Sequence, residues 1–353
     1  MGKKIWLVAM LLALGLILMA CGDASDDAVD NGDSESEESS ESSEDTQEES
    51  SEDTEEENAV NTDGWVEDVT VLTGGEAGVY FPLGVAMAEI IDEHVDGVSA
   101  TGITSGASVV NANEVSGGQA QLALIQNDIA YYAQEGSHMF EEVVDGFSGI
   151  FTIYPETIQI VTLADSGIET VEDLEGKRVA VGDVGSGTEA NASQILAAHD
   201  LTFEDLSAEW MGFGDASTNL QDGNIDAAFV TAGTPTGSIQ ELAASADIRI
   251  VSINEEKIDQ ITEEYPYYTK VELDENTYEN FDATATTIAP QAMLIASDDL
   301  PEDQVYEMVK AIFENIDAME NAHERGKDLT IDSALDGMSI DLHPGAQRYF
   351  DEQ

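Results

Sequence analysis

The stretch at residues 179–196, VAVGDVGSGTEANASQIL, decides the architecture. It opens on an apolar run that reads as a buried strand. A glycine-rich turn with Gly182, Gly185 and Gly187 follows, and then a helix. The same alternation runs through the chain from Trp65 onward. VTVLTGG is a strand ending in a glycine turn, and VYFPLGVAMAEIIDEHV is a helix with Pro82 in its first turn. The strands VSATGIT, AQLALIQ, IQIVTLAD, RVAVG, SAEWMGF, DAAFVTAG and IRIVSI follow, separated by helical runs such as GASVVNANEVSGG, DIAYYAQEG and DASTNLQDG. Near the end, TTIAPQAMLIAS reads as one strand and PEDQVYEMVKAIFENIDAMENAHER as one long helix. Alternating strands and helices predict an α/β fold with mostly parallel sheets, and the number of strands suits two sheets better than one. No linker separates two halves after residue 63. The chain is therefore expected to cross between two lobes more than once, near residues 154–159 and 265–286.

The first sixty residues stand apart. Lys3 and Lys4 precede an apolar stretch from Ile5 to Ala20, shorter than the ~20 residues of an ordinary membrane span. The sequence Leu18-Met19-Ala20-Cys21-Gly22 resembles a bacterial lipobox, which implies cleavage before Cys21 and its lipidation. Cys21 is the only cysteine, so the chain has no disulfide of its own. Residues 22–63 are almost all Asp, Glu, Ser, Thr, Asn and Gly and read as a solvated, disordered tether.

The 353 residues carry 74 acidic and 11 basic groups, a formal net charge of -63. This excludes the basic footprint that nucleic acid requires. Residues 23–63 hold 19 of the acids, so 55 remain in the folded part against nine basic groups. Such self-repulsion is tolerable where salt shortens the Debye length to ~3 Å, and a saline habitat is the expectation.

In doubly wound sheets, ligands sit at the carboxyl ends of strands. Five turns there can face one cleft: LTGGEAGVY, GITSGASV, IQNDIAYY, VGDVGSGTEAN and VTAGTPTG. The glycine order at residues 182–187 is GxxGxG, which is neither a dinucleotide fingerprint nor a P-loop. Ser186, Gly187 and Thr188 place hydroxyls and N–H groups at a helix start, a receptor for a carboxylate. They read equally as an N-cap with tight glycine packing. Thr231, Ala232 and Thr234 mark a second such turn, and Ser105 a third. Tyr80 reads as a ligand wall or as core. Asp128 reads as a helix cap or as a partner for a cationic group. The five histidines are scattered with no metal-ligand spacing, and no nucleophile elbow occurs. No catalytic residue, metal or cofactor is therefore expected, and the chain is not expected to be an enzyme.

These residues also carry a family likeness. TGGEAGVYFPLG, QLALIQNDIAYYA, the long segment from IFTIYPETIQIV through VGSGTEANASQIL, DGNIDAAFVTAGTPTGSIQELA and ALDGMSIDLHPGAQRYF resemble the TAXI-type substrate-binding proteins of TRAP (tripartite ATP-independent periplasmic) transporters. The resemblance implies a two-lobe, type II periplasmic-binding-protein fold with a central ligand cleft. Lobe 1 would span residues 64–158 and 266–353, and lobe 2 residues 159–265. It implies a lipid-anchored extracytoplasmic receptor that passes glutamate, glutamine or a dicarboxylate such as 2-oxoglutarate to a sodium-coupled membrane permease. The pocket residues it implies are Gly75, Tyr80, Gln126, Asp128, Ser186, Gly187, Thr188, Thr231, Ala232 and Thr234. The alternatives are a sensor without transport, or an enzyme gripping a phosphorylated substrate at the glycine turn. Glu76 departs from the family pattern, where a small or hydroxyl residue is usual. Lys177, Arg178 and Arg249 should lie at the far ends of their strands, leaving an anion to be held by N–H groups and hydroxyls.

Overall fold

The computed structural model describes residues 62–281 and 283–353. The signal segment, Cys21 and nearly all of the acidic tether lie outside the described residues. Strands β1 (Asp68–Leu72), β2 (Ser99–Ile103), β3 (Leu122–Gln126) and β4 (Phe147–Pro155) come first. Then come β5 (Thr157–Leu163), β6 (Arg178–Ala180), β7 (Ser207–Glu209), β8 (Ala227–Ala232) and β9 (Ile248–Val251). The strands β10 (Thr269–Leu273) and β11 (Ala285–Ala289) pair as an antiparallel ribbon, and β12 (Gln291–Ser297) follows.

Two five-stranded sheets result, in the orders β2-β1-β3-β12-β4 and β7-β6-β8-β5-β9. Each begins with three parallel strands. In each the fourth place is taken by a strand that arrives from elsewhere in the chain and runs antiparallel to both neighbours. The two sheets thus share one plan. The chain passes from the first sheet to the second between Pro155 and Thr157 and returns between Ala289 and Gln291. The crossings touch: Pro155 pairs with Gln291, and the Glu156 N–H donates to the Pro290 carbonyl at 2.8 Å.

Helices follow the strands. After the first three strands come α1 (Tyr80–His94), α2 (Ser108–Ser116) and α3 (Asn127–Glu135). The second sheet carries α4 (Gly187–Ala198), α5 (Phe213–Gln221), α6 (Gly237–Ala243) and α7 (Glu255–Glu264). The chain closes with α8 (Glu302–Glu314), α9 (Ile316–Ala322) and α10 (Pro344–Asp351).

Several elements differ from the sequence expectation. TTIAPQAMLIAS is two strands in two different pairings, parted at Pro290, which has no N–H to continue a ladder. The long late helix breaks at Asn315, which sits at φ -120°, ψ 31° between α8 and α9 and turns its side-chain amide onto the Ala311 carbonyl. The run FSGIFTIYP forms β4, an edge strand that the sequence reading did not assign. Helix α7 is polar overall but buries Ile258 and Ile261 on one face.

Three apolar clusters hold the sheets. Leu83, Met87 and Ile91 of α1 pack on one face of the first sheet, and Ile125, Ile129 and Met293 fill its other face. In the second sheet Ile160, Val179, Ile195 and Phe229 pack together. Helix α1 lies so close over β2 that a Cβ added at Gly102 would stand 2.8 Å from the Val85 Cα. That neighbour is backbone and cannot rotate away. Gly102→Ala is therefore expected to destabilise the fold by about 1–3 kcal/mol, read as a lower midpoint in urea unfolding with an unchanged slope.

Candidate ligand-binding cleft

The carboxyl ends of the two sheets face each other across a cleft of about 70 Å³. At ~10–15 Å³ per enclosed water this holds about five to seven water molecules, room for a small metabolite. Nine residues singled out from the sequence line it: Gly75, Tyr80, Ser105, Gln126, Ser186, Gly187, Thr188, Thr231 and Ala232. Two do not. Asp128 is fully buried in the first turn of α3, where its Oδ2 accepts from the Tyr268 hydroxyl at 2.7 Å and from Asn191 Nδ2 at 3.0 Å. It joins elements of the two halves and does not line the cleft. Thr234 donates to the Thr157 hydroxyl at 2.7 Å and lines a separate groove. The turn that carries it is tied down as well: the Thr236 N–H donates to the Tyr278 hydroxyl, and α6 is not among the helices that open on the cleft. Cys21 lies outside the described residues.

Four helix starts meet at the cleft. Residues Val79 and Tyr80 begin α1, Ala107 and Ser108 begin α2, Ser186 to Thr188 begin α4, and Gly212 and Phe213 begin α5. The first N–H groups of each helix have no partner within the helix and carry the positive end of its dipole. The local sequence explains the approach. Gly182 and Gly185 hold φ of 94° and 78°, which open the turn before α4. A Cβ at Gly187 would overlap the Gln126 carboxamide, so glycine here lets that side chain lie against the start of α4 without swinging aside. Ser186 caps α4 by accepting from the Glu189 N–H at 3.1 Å, while Glu189 reaches back to the Gly185 N–H at 2.8 Å. Capping and presentation to the cleft thus coexist in one turn. Across the cleft, the Gly185 carbonyl accepts from the N–H groups of Val109 and Val110 at 3.1 and 3.3 Å. Ala107, at φ 64° and ψ -152°, occupies backbone space nearly restricted to glycine, and its N–H is held by the Ser105 hydroxyl at 3.1 Å.

The walls are aromatic. Tyr80, Tyr154 and Phe213 line the cleft, and Phe213 packs on Gly78. Tyr154, Phe213, Gly212 and Asp183 were not named from the sequence. The GFGDAS stretch does carry the signal, a glycine between a strand and a helix. Among the described residues the only charged side chain in the lining is the exposed Asp183. Burial and the charge of Asp215 raise its carboxyl above the usual range. No Lys or Arg lines the cleft among the described residues. Arg178 pairs with Asp226 at 2.7 Å, and Arg249, inside β9 and not before it, pairs with Glu169 at 3.1 Å. Arg325 stands behind Gly233 and Tyr154, paired with Asp328 at 3.0 Å. Glu76 is exposed to solvent and does not line the cleft.

Directly behind the lining sits a residue that the sequence reading missed. Glu156 is 2% exposed. Its carboxylate accepts from the Tyr80 hydroxyl at 2.5 Å and from Gln126 Nε2 at 3.3 Å. Burial pushes its pKa up to about 8 against these two donors, with the Asp128 charge adding to the rise. Its signal was present: an acid placed inside the apolar run IFTIYPETIQIV has no solvated face to occupy. Gln126, having spent its Nε2 on Glu156, leaves Oε1 without a partner among the described residues. The buried hydroxyls of Tyr154 and Thr231 have none either, and all three residues line the cleft. Buried polar atoms of this kind ask for a partner that a bound solute supplies.

The model of the NMT1-like family matches residues 71–353. The chain belongs to the NMT1-like family. Solved structures similar to this NMT1-like chain include the periplasmic aliphatic sulphonate binding protein SsuA of Escherichia coli (TM-score 0.44, 13% identity, 82% of this chain and 79% of that one). Another is a putative L-cystine ABC transporter from Listeria monocytogenes (0.47, 16%, 76% and 98%). A third is PhnD1 from Prochlorococcus marinus in complex with methylphosphonate (0.48, 10%, 75% and 90%).

The buried carboxyls of this NMT1-like protein set a pH dependence of stability. Glu156 rises from 4.5 to about 8 on folding, and Asp128 from 3.8 to about 6. A carboxyl raised by folding contributes stability that is complete below its unfolded pKa and is lost as pH rises through its folded one. For Glu156 the loss runs from about pH 4.5 to about 8, at most about 1.4 kcal/mol per pH unit. Urea titrations at pH 5, 7 and 9 are expected to show Glu156→Gln gaining on the wild type at each step upward. A constant difference across the three would show that Glu156 does not titrate on unfolding.

Proposed function

We propose that this chain is an extracytoplasmic solute receptor for a small carboxylate-bearing metabolite: glutamate, glutamine or a dicarboxylate such as 2-oxoglutarate. The observation that carries the reading is the convergence of four helix N-termini on one small cleft with no basic side chain in its lining. An isolated anion is costly to bury, and such a site holds one only by satisfying nearly every oxygen with N–H and O–H donors. The donors are the first N–H groups of α1, α4 and α5 and the hydroxyls of Tyr154, Thr188 and Thr231, the Val109 and Val110 N–H groups of α2 being taken by the Gly185 carbonyl.

The likeness to TAXI-type proteins adds the physiological frame. The receptor is lipid-anchored through Cys21 on the outer face of the cell membrane, with residues 22–63 as a tether. It hands its solute to a sodium-coupled TRAP permease. Lobe 1, residues 64–158 and 266–353, and lobe 2, residues 159–265, close on the solute through the paired crossings at Glu156 and Pro290. The carboxylate lies between α4 and the starts of α1 and α2, with Tyr80 and Phe213 against the carbon skeleton.

A thermal-shift screen in molar salt over amino acids, dicarboxylates, sugars and nucleotides tests the ligand class. Glutamate or 2-oxoglutarate is expected to raise the Tm, since a ligand specific for the folded state stabilises it by RT ln(1 + [L]/Kd). A response confined to sugars or nucleotides overturns the reading. Thr188→Val is expected to weaken binding about five- to tenfold, the worth of one hydrogen bond, with little change in the ligand-free Tm. Unchanged affinity removes the α4 turn from the site.

A further inference from the structure

We propose that Glu156 takes up a proton when the cleft receives its anion, and that this proton turns the Tyr80 hydroxyl from the protein toward the solute. The inference rests on the carboxylate-receptor reading above. Its basis is geometric. Glu156 lies between β4 and β5, buried, with both of its side-chain partners, Tyr80 and Gln126, in the lining of the cleft. The groups that face it are few. They are Tyr80 from α1, Gln126 from β3, Asp128 from α3 and the buried Tyr154 from β4. From the β11–β12 junction it meets only the Pro290 carbonyl, which takes its N–H. Two are hydroxyls, one is an amide and one is a second carboxyl; none is a cation. Arg325 acts on Tyr154 and is paired with Asp328.

A carboxylate in that position is held by two donors alone. An anion bound at the helix starts sits one side chain away, on the other side of the Tyr80–Gln126 layer. Two like charges separated by distances on the order of 8 Å, at an effective dielectric of ~20, disfavour joint ionisation more than tenfold. Burial already raises the Glu156 pKa to about 8, so a modest further push makes it bind a proton at mildly alkaline pH, while below that it is protonated before the anion arrives.

The proton comes from solvent and adds to Oε1, the oxygen that faces Tyr80. With Glu156 ionised, its oxygen accepts the Tyr80 O–H. With Glu156 protonated, the carboxyl O–H donates to the Tyr80 oxygen, and the tyrosine's own proton is free to turn into the cleft. One donor is thus gained for the solute and one buried negative charge is removed. Nothing is oxidised, and no bond other than O–H changes. The sign follows. Below the pKa of the empty cleft, Glu156 is already protonated and affinity is flat with pH. Above it, binding must draw in a proton, and affinity falls as pH rises, by up to tenfold per pH unit.

Isothermal titration of the protein with 2-oxoglutarate, whose carboxyls titrate far below this window, is the test. At pH 8.5 in phosphate and in Tris, whose heats of ionisation differ, the apparent binding enthalpies are expected to differ by an uptake of about half to one proton. At pH 6 the uptake is expected to vanish. Glu156→Gln is expected to show no uptake and no loss of affinity between pH 8 and 9.5. Binding without proton uptake in the wild type overturns the proposal, as does proton release. The same uptake in Glu156→Gln also overturns it, since the proton then belongs to Asp128 or Asp183. If Glu156→Gln does not fold, the uptake is measured in Asp128→Asn and Asp183→Asn: persistence in both supports Glu156 as the acceptor, and loss in either overturns the proposal. Absence of binding by 2-oxoglutarate, L-glutamate and L-glutamine at every pH overturns the receptor reading itself, and this proposal with it.

Discussion

The positive ends of helix dipoles repel one another, and this structure brings four of them to one point. Helices α1, α2, α4 and α5 all begin at the cleft. An isolated fold would gain by splaying them apart, so the arrangement must be held by something else. Part of what holds it is backbone contact across the cleft: the Gly185 carbonyl caps the first N–H groups of α2 from the opposite sheet. A carbonyl there carries partial negative charge and offsets some of the convergence. Helix α4 has its own Ser186 side chain on the Glu189 N–H, while α1 and α5 have no side-chain cap among the described residues. On the proposed reading an anion would complete what the Gly185 carbonyl begins, each helix end at a partly buried site contributing up to about 2 kcal/mol toward it.

The same constraint explains why glycine is concentrated where it is. Gly182, Gly185 and Gly187 are spaced neither for a dinucleotide nor for a triphosphate, yet each has a distinct task. Two supply positive φ, and the third admits Gln126 against the helix start. Ala107 extends the pattern at a cost. It holds a conformation that glycine would adopt freely, fixed by Ser105 and by the chain around it. Closure is thus a matter of backbone fit between two turns, and the side chains behind them, Asn191 on Asp128 and Gln194 on Tyr132, lock the contact from the rear.

Much of this was legible in the sequence because strand-turn-helix units announce where their turns lie, and in a doubly wound sheet all such turns fall on one edge. That logic found nine lining residues. It misplaced Asp128 and Thr234 because a polar residue at a strand end has two directions to point, and hydrogen bonds to Tyr268 and Thr157 decide between them. Those partners come from distant parts of the chain. The late strand and the late helix were read as single elements because their apolar period continues across the break. Only Pro290 and Asn315 mark the change of direction, and a proline or asparagine in a long amphipathic run is a weak sign by itself. Glu156 escaped notice for a different reason. In a chain with 74 acidic residues, one more carboxylate carries no weight until its surroundings are known to be apolar.

That abundance of acid also bears on why the cleft is built from amides. The folded part carries 55 acidic groups against nine basic ones, and the basic side chains of Arg178, Arg249, Arg325, Lys270 and Arg348 are engaged by carboxylates. A lysine or arginine in the lining would have many competitors for its charge, and long side chains reorient readily toward them. Backbone N–H groups at a helix start have no such freedom. They are fixed by the helix, do not titrate, and cannot be drawn away by a neighbouring aspartate. In a strongly acidic protein they are the one source of positive potential that the surface cannot neutralise, which makes a cleft of helix ends the arrangement best matched to its composition.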